Sequence, residues 1–165
     1  MNPHTPSCPP HVFTHIGADG HPMMVDVHAK ESTDRMARAE GFVRISAELE
    51  RRIRENSLAK GSTLDVARLA GLLAAKRTAE FIPLCHSIPL DGVDISAEVQ
   101  PGRIRIEVSV RTHARTGVEM EALVAVAVAC LTVIDMGKSI DRWIVIDGVR
   151  MLEKRGGRSG VLVAP

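Results

Sequence analysis

Residues 93–111 read VDISAEVQPGRIRIEVSVR. Val93, Ile95, Ala97 and Val99 alternate with Asp94, Ser96, Glu98 and Gln100. Pro101-Gly102 turns the chain, and Ile104, Ile106, Val108 and Val110 then alternate with Arg105, Glu107, Ser109 and Arg111. A period of two with one apolar and one polar face is the pattern of a half-buried antiparallel hairpin. A sheet with one apolar face needs a cover, and the flanking sequence supplies it.

Upstream, from Arg35, Ala37, Ala39, Val43 and Ile45 share one face with Gly41. Arg38, Glu40 and Arg44 take the other with Phe42, which predicts a further strand. Ser46 caps an amphipathic segment, Ala47 to Glu55, carrying Leu49 and Ile53. Thr63 opens a second helix, about Leu64 to Phe81, stopped by Pro83. Its expected apolar stripe is Val66, Leu69, Ala70, Leu72, Leu73 and Ala74. Downstream of the hairpin lies a long helix, about Gly117 to Gly137, then a strand region, Arg142 to Lys154, with an Asp147-Gly148 turn or bulge signal. The order β-α-α-β-β-α-β predicts an α+β, ferredoxin-like two-layer sandwich, an antiparallel sheet with helices packed on one face. Residues 1–22, rich in Pro and His, read as a poorly ordered arm, 23–153 as a single α+β domain, and 154–165 as a basic, glycine-rich tail.

Composition narrows the function. The 165 residues carry 21 Lys+Arg against 20 Asp+Glu, and a net charge of +1 excludes a polybasic nucleic-acid or membrane-surface binder. Aromatics are 2 %, with no Tyr and one Trp, too few for a base-stacking sheet face. Cys8, Cys85 and Cys130 form no CxxC pair and read as free thiols in a reducing cytosol. No metal site is expected: the arm's histidines sit among prolines that oppose a helical pair of ligands. The uncharged run Ala122 to Ile134 is shorter than the roughly 20 residues of a membrane span. A cytoplasmic protein is expected.

Four places hold candidate chemistry. Pro83 and Pro89 bracket Cys85-His86, so His86 is either a proton-transfer or phosphate ligand or a histidine bonded only to a loop carbonyl. Glu119 and Glu121 open the long helix, where the dipole favours acids; at about 200° apart they both serve one site only if the first turn faces a cleft. Asp135 ends the same helix, where an acid is disfavoured, with Lys138 three residues on; this is either a surface ion pair or a tuned proton-transfer group. Lys60, Arg68, Lys76 and Arg77 surround or follow Gly61-Ser62-Thr63, either an anion-holding helix start or a solvated face. Glu121 and Asp135 stand 14 residues apart, roughly 21 Å along a helix. Either a long substrate spans them or two chains build the site.

Met24–Lys30, Ala67–Gly71 with Ala74–Thr78, Ile82–His86, Thr116–Ala122 and Asp135–Lys138, in this order, resemble the MoaC family of cyclic pyranopterin monophosphate synthases. The resemblance spans about residues 24–160. It departs at Gly137, Ser87 and His28, where Cys, Pro and Ser are usual, and Gly137 is expected to loosen the helix end. The resemblance implies a lyase reaction of molybdenum cofactor biosynthesis: 3′,8-cyclised 7,8-dihydro-GTP, supplied by a radical SAM GTP cyclase, becomes cyclic pyranopterin monophosphate with loss of pyrophosphate. It implies Asp135 as catalytic acid/base, assisted by Lys60 and Lys138. Leu84, Cys85, His86, Glu119, Met120 and Glu121 would line the substrate site. No cofactor is then required by the protein, and Mg²⁺ has a place only on the substrate triphosphate. The implied assembly is a homohexamer, a trimer of dimers, with sites at subunit interfaces. The rivals are a nucleotide-sensing ferredoxin-like module, which binds without turnover, and an RNA-binding α+β domain, which the charge and aromatic poverty oppose.

Overall fold

The structure, a computed structural model, describes residues 15, 16 and 19–165. His4, Cys8, His11 and most of the expected arm lie outside the described residues. The elements are β1 (Thr33–Arg44), α1 (Ala47–Arg54), α2 (Thr63–Lys76), α3 (Thr78–Phe81), β2 (Gly92–Gln100), β3 (Arg103–Ala114), α4 (Glu119–Gly137), β4 (Val145–Arg155) and β5 (Leu162–Val163). They form one antiparallel sheet in the order β2-β3-β1-β4-β5. The hairpin holds the expected register, with Val93 opposite Val110 and Val99 opposite Ile104. β1 adds to its far side, pairing Ala37 with Val110, Ala39 with Val108 and Gly41 with Ile106.

One face of this sheet is small and apolar, and α4 lies across β1, β3 and β4 on that face. Ala37, Ala39, Ile104, Ile106 and Val108 meet Ala122, Ala125, Val126, Ala129, Cys130 and Val133, all within 2 % of full burial. Gly41 sets the spacing: a Cβ there would stand 2.6 Å from Val126 Cγ1 and 3.2 Å from Cys130 Sγ. α4 is long and apolar enough to cross a membrane by length and composition, but in this fold it is the core helix, packed on the sheet and alongside α2.

α2 departs from the sequence reading in two ways. Its helix ends at Lys76 rather than running to Phe81. Arg77 leaves helical geometry, Thr78 Oγ1 donates to the carbonyls of Ala74 or Ala75, and α3 restarts as one short turn. Its buried stripe is also not the predicted one. Val66, Leu69 and Leu73 are exposed, and Thr63, Ala67, Gly71, Ala74 and Ala75 face inward. The reason is close approach: a Cβ on Gly71 would already sit 3.0 Å from the Ala125 carbonyl oxygen of α4. Large side chains do not fit that contact, so the small ones take it.

The helix-free face carries a lattice of ion pairs. Glu40, 3 % exposed, accepts from Arg105 and Arg150; Glu107 pairs with Arg38 and Arg105, and Glu153 with Arg38 and Arg155. Burial alone pushes the Glu40 carboxyl up, but hydrogen bonds from Arg150 and Arg105 outweigh it and hold the carboxyl below its ordinary range. On the edge strand β2, Arg68 and Arg54 donate to the carbonyls of Ala97 and Val99. Arg68 is thereby committed to the sheet edge and to Asp65, not to an anion site.

β4 contains two irregularities. Asp147-Gly148 is a bulge, with Gly148 at φ 77°, between the pairs Val43–Ile146 and Gly41–Val149. The second lies at Leu152, between the pairs Ala39–Met151 and Arg38–Glu153. The segment read as a tail starts inside β4, and Leu162–Val163 folds back to pair with Glu153 and Lys154.

Two outcomes test this packing. Gly41→Val forces apolar bulk into the β1–α4 contact and should destabilise the chain by about 1–3 kcal/mol, read as a lower urea midpoint at constant m. Glu40 has a depressed folded-state pKa, so its stabilisation is present above the ordinary carboxylate range and is lost as pH falls through the folded value. Glu40→Gln should therefore be less stable than wild type at neutral pH, with the gap closing in acid, measured by chemical denaturation across pH.

Candidate active site

The ends of α4 hold two clusters of ionisable groups. At the C-terminal end, Asp135 receives Lys138 Nζ on Oδ1 at 2.7 Å and Lys60 Nζ on Oδ2 at 3.1 Å. Lys60 also donates to the Asp135 main-chain carbonyl at 2.8 Å. One lysine thus satisfies a helix-terminal carbonyl and the adjacent carboxylate together, which offsets the unfavourable dipole for an acid at this position. Lys138 foremost, and Lys60 next, hold the Asp135 carboxyl below its ordinary range. It is a carboxylate at neutral pH, suited to accept a proton rather than to donate one. All three side chains are about half exposed, so the cluster is open to a ligand.

The helix end beneath it is tightly packed. Ile140 N and Asp141 N both donate to the Gly137 carbonyl. A Cβ on Gly137 would lie 2.6 Å from Leu49 Cδ2, so the expected loosening at Gly137 is replaced by close packing of α1 against the helix end. Asp141 then accepts from Ser46 N and Trp143 N, tying the turn after α4 to the start of α1.

At the N-terminal end a cavity of about 290 Å³ is lined by Val25, Lys30, Leu84, Cys85, His86, Thr116, Glu119, Met120 and Glu121, among others. The first turn of α4 faces a cleft, so both glutamates reach one cavity despite their angular separation. Glu119 pairs with Lys154 at 2.8 Å. Glu121 is 5 % exposed; burial pushes its carboxyl up, the Glu119 charge adds to that, and its own backbone amide opposes it. Burial, with a smaller contribution from Glu121, pushes the Cys85 thiol up, away from the thiolate a nucleophile needs.

His86 Nε2 lies 2.8 Å from the Val25 carbonyl. A carbonyl only accepts, so Nε2 carries the proton, and in neutral imidazole Nδ1 keeps the lone pair. The loop-carbonyl bond read as one alternative for His86 is therefore present. It also pins the segment 24–30, with Lys30, against the cavity.

The structure thus brings Leu84, Cys85, His86, Glu119, Met120 and Glu121 together at one end, and Lys60, Asp135 and Lys138 at the other. Within one chain the two groups stay apart by the length of α4. Sequence reasoning missed the role of Lys154. The bulge at Leu152 shifts strand alternation by one, which turns Lys154 to the helix side and toward Glu119. A regular strand would aim it at the other face.

The chain is similar to known proteins over most of its length. The MoaC family model matches residues 24–157, which contain every residue of both clusters. This chain belongs to the MoaC family. It is 54% identical over 148 residues to a cyclic pyranopterin monophosphate synthase of Corynebacterium efficiens, covering 90% of this chain and 96% of that protein. It is 53% identical over 155 residues to the enzyme of that name from Methylobacterium sp. (strain 4-46), covering 92% and 96%. The synthase of Thermomicrobium roseum is 52% identical over 150 residues, covering 90% of each chain. The MoaC match ends at Gly157, so it takes in Lys154 and the Leu152 bulge that aims it.

Since Lys138 and Lys60 depress the Asp135 pKa, Lys138→Met and Lys60→Met should each raise it, Lys138→Met by more. Carboxyl-carbon NMR titration of Asp135 in the three proteins reads both the direction and the order.

Proposed function

We propose that this chain is a cyclic pyranopterin monophosphate synthase, acting in molybdenum cofactor biosynthesis. It converts 3′,8-cyclised 7,8-dihydro-GTP into cyclic pyranopterin monophosphate and releases pyrophosphate. The observation that carries the reading is the Lys60–Asp135–Lys138 cluster, held open to solvent on a chain of the MoaC family. The reaction opens and recloses rings and forms a cyclic phosphate while pyrophosphate leaves. It needs a base, acids and cations against a polyphosphate. Asp135 serves as the base. Lys60 and Lys138 keep it ionised, supply protons and stabilise charge on the phosphates. Leu84, Cys85, His86, Glu119, Met120 and Glu121 contact the bicyclic and ribose portions.

On this reading the active site is assembled from two protomers. One contributes its Asp135 end and its partner the glutamate cavity, within a homohexamer built as a trimer of dimers. No metal or organic cofactor belongs to the protein, and any Mg²⁺ rides on the triphosphate. The substrate comes from an upstream radical SAM GTP cyclase, and the work is done in the cytoplasm.

Incubation of the protein with the cyclised GTP intermediate tests this directly. Pyrophosphate should appear, together with a pterin that fluoresces after oxidation; reversible binding without either product would instead mark a nucleotide-sensing module. Asp135→Asn should keep the fold by circular dichroism and lower kcat by about 10²–10⁴. Glu121→Ala and Asp135→Asn proteins, dissociated and reassembled together, should regain activity, because some interfaces then hold one intact composite site. Confirmed subunit exchange with no recovery would place each whole site within one chain.

A further inference from the structure

Glu119 stands on a partition between two cavities. The first, of about 290 Å³, is the one it shares with Glu121. The second, of about 240 Å³, is lined by Met151, Leu152, Lys154, Leu162 and Val163, among others. Two contacts fix the Glu119 carboxylate between them. Lys154 Nζ donates to Oε1 at 2.8 Å. The carboxyl group also lies against Gly117, where a Cβ would stand 2.6 Å from the carboxyl carbon. Lys154 reaches Glu119 because Leu152 is an extra residue between the pairs Ala39–Met151 and Arg38–Glu153, which sets Lys154 opposite Ala37 on the helix side. β5 holds that irregularity from the other side. Ala164 N donates to the Leu152 carbonyl at 2.8 Å, and Glu153 and Lys154 pair with Val163 and Leu162.

We propose that Lys154 and β5 position the Glu119 carboxylate for substrate: β5 holds the Leu152 bulge, the bulge aims Lys154, and Lys154 keeps Glu119 on the wall of the first cavity. The inference rests on the function proposed above, in which Glu119 contacts the substrate. Lys154 is then a positioning residue, acting on the substrate through Glu119. Glu119 and Glu121 face one cavity, and the Glu119 charge already bears on the Glu121 carboxyl. Freed from its lysine, Glu119 is pushed toward the second cavity, and the substrate loses a contact. The Ala164 N–H matters for the same reason. A β4 strand that paired without its bulge would turn Lys154 to the other face, away from Glu119.

NMR and kinetics on the full chain test this together. The carboxyl-carbon resonance of Glu119 in glutamate-labelled protein is assigned by its loss in Glu119→Gln. Lys154→Met should move that resonance, and Lys154→Arg should return it toward its wild-type position. Ala164→Pro removes the N–H donated to Leu152 and should move it in the same direction by less. Val163→Gly, which weakens β5 at an exposed position without removing a donor, should do likewise. An unmoved resonance in Lys154→Met, or in both β5 variants, overturns the proposal. Lys154→Met should raise KM for the cyclised GTP by about tenfold with kcat little changed, and the β5 variants should raise it by less. In a Glu119→Gln background none of these substitutions should raise KM further. A further rise there would mean that Lys154 meets the substrate itself, and overturns the proposal. Wild-type protein that binds the cyclised GTP but never releases pyrophosphate overturns the parent function instead. The Glu119 resonance still reports on Lys154 and β5 in that case, so the two failures are separable.

Discussion

The close approach of α4 to its neighbours is the constraint on which the rest of the structure depends. On the sheet side it requires Gly41, Ala37 and Ala39; on the α2 side it requires Gly71, Ala67 and Ala74. Wherever two backbones come this near, side chains must be small, and the contact gains from many weak dispersion contacts rather than a few large ones. The helix so clamped packs on β1, β3 and β4 and against α2. Its two ends carry the two clusters of ionisable groups, and their separation is fixed by the number of residues between Glu121 and Asp135.

Much of the fold was legible because β-structure writes its period plainly. Residues 93–111 gave strand, turn and strand with register intact, and Ala37 to Val43 showed a second half-buried strand. The α2 stripe was not legible. Val66, Leu69 and Leu73 are the larger apolar residues and look like a core face, yet the facing helix leaves room only for glycine and alanine. Hydrophobicity ranks residues by transfer energy; a tight crossing ranks them by volume, and the sequence of one helix does not announce how near the other will come. The break at Arg77 was hidden for a related reason, since it depends on Thr78 turning its hydroxyl back on the preceding carbonyls.

The candidate site divides along the same line. Asp135 with Lys138, and Glu119 with Glu121, could be read from neighbouring positions on one helix. Lys60 was readable from the residues only as part of a basic helix start, and was joined to Asp135 only through the family resemblance, because their bond links residues 75 positions apart. Lys154 was not readable at all: it reaches Glu119 through a one-residue irregularity in β4 that no alternation pattern reveals. His86 was ambiguous between ligand and loop-stapling roles because its acceptor, Val25, comes from a distant segment.

The arginines on β2 bear on how such a domain keeps company with copies of itself. An outer strand normally offers a row of free carbonyls to any extended chain that drifts past, and that is where misassembly begins. Here Arg54 and Arg68 already occupy the Val99 and Ala97 carbonyls, and their charge repels a second strand dressed the same way. A strand adding at this edge would first have to displace both arginines. At those two positions an approaching chain therefore meets charged side chains before it meets backbone.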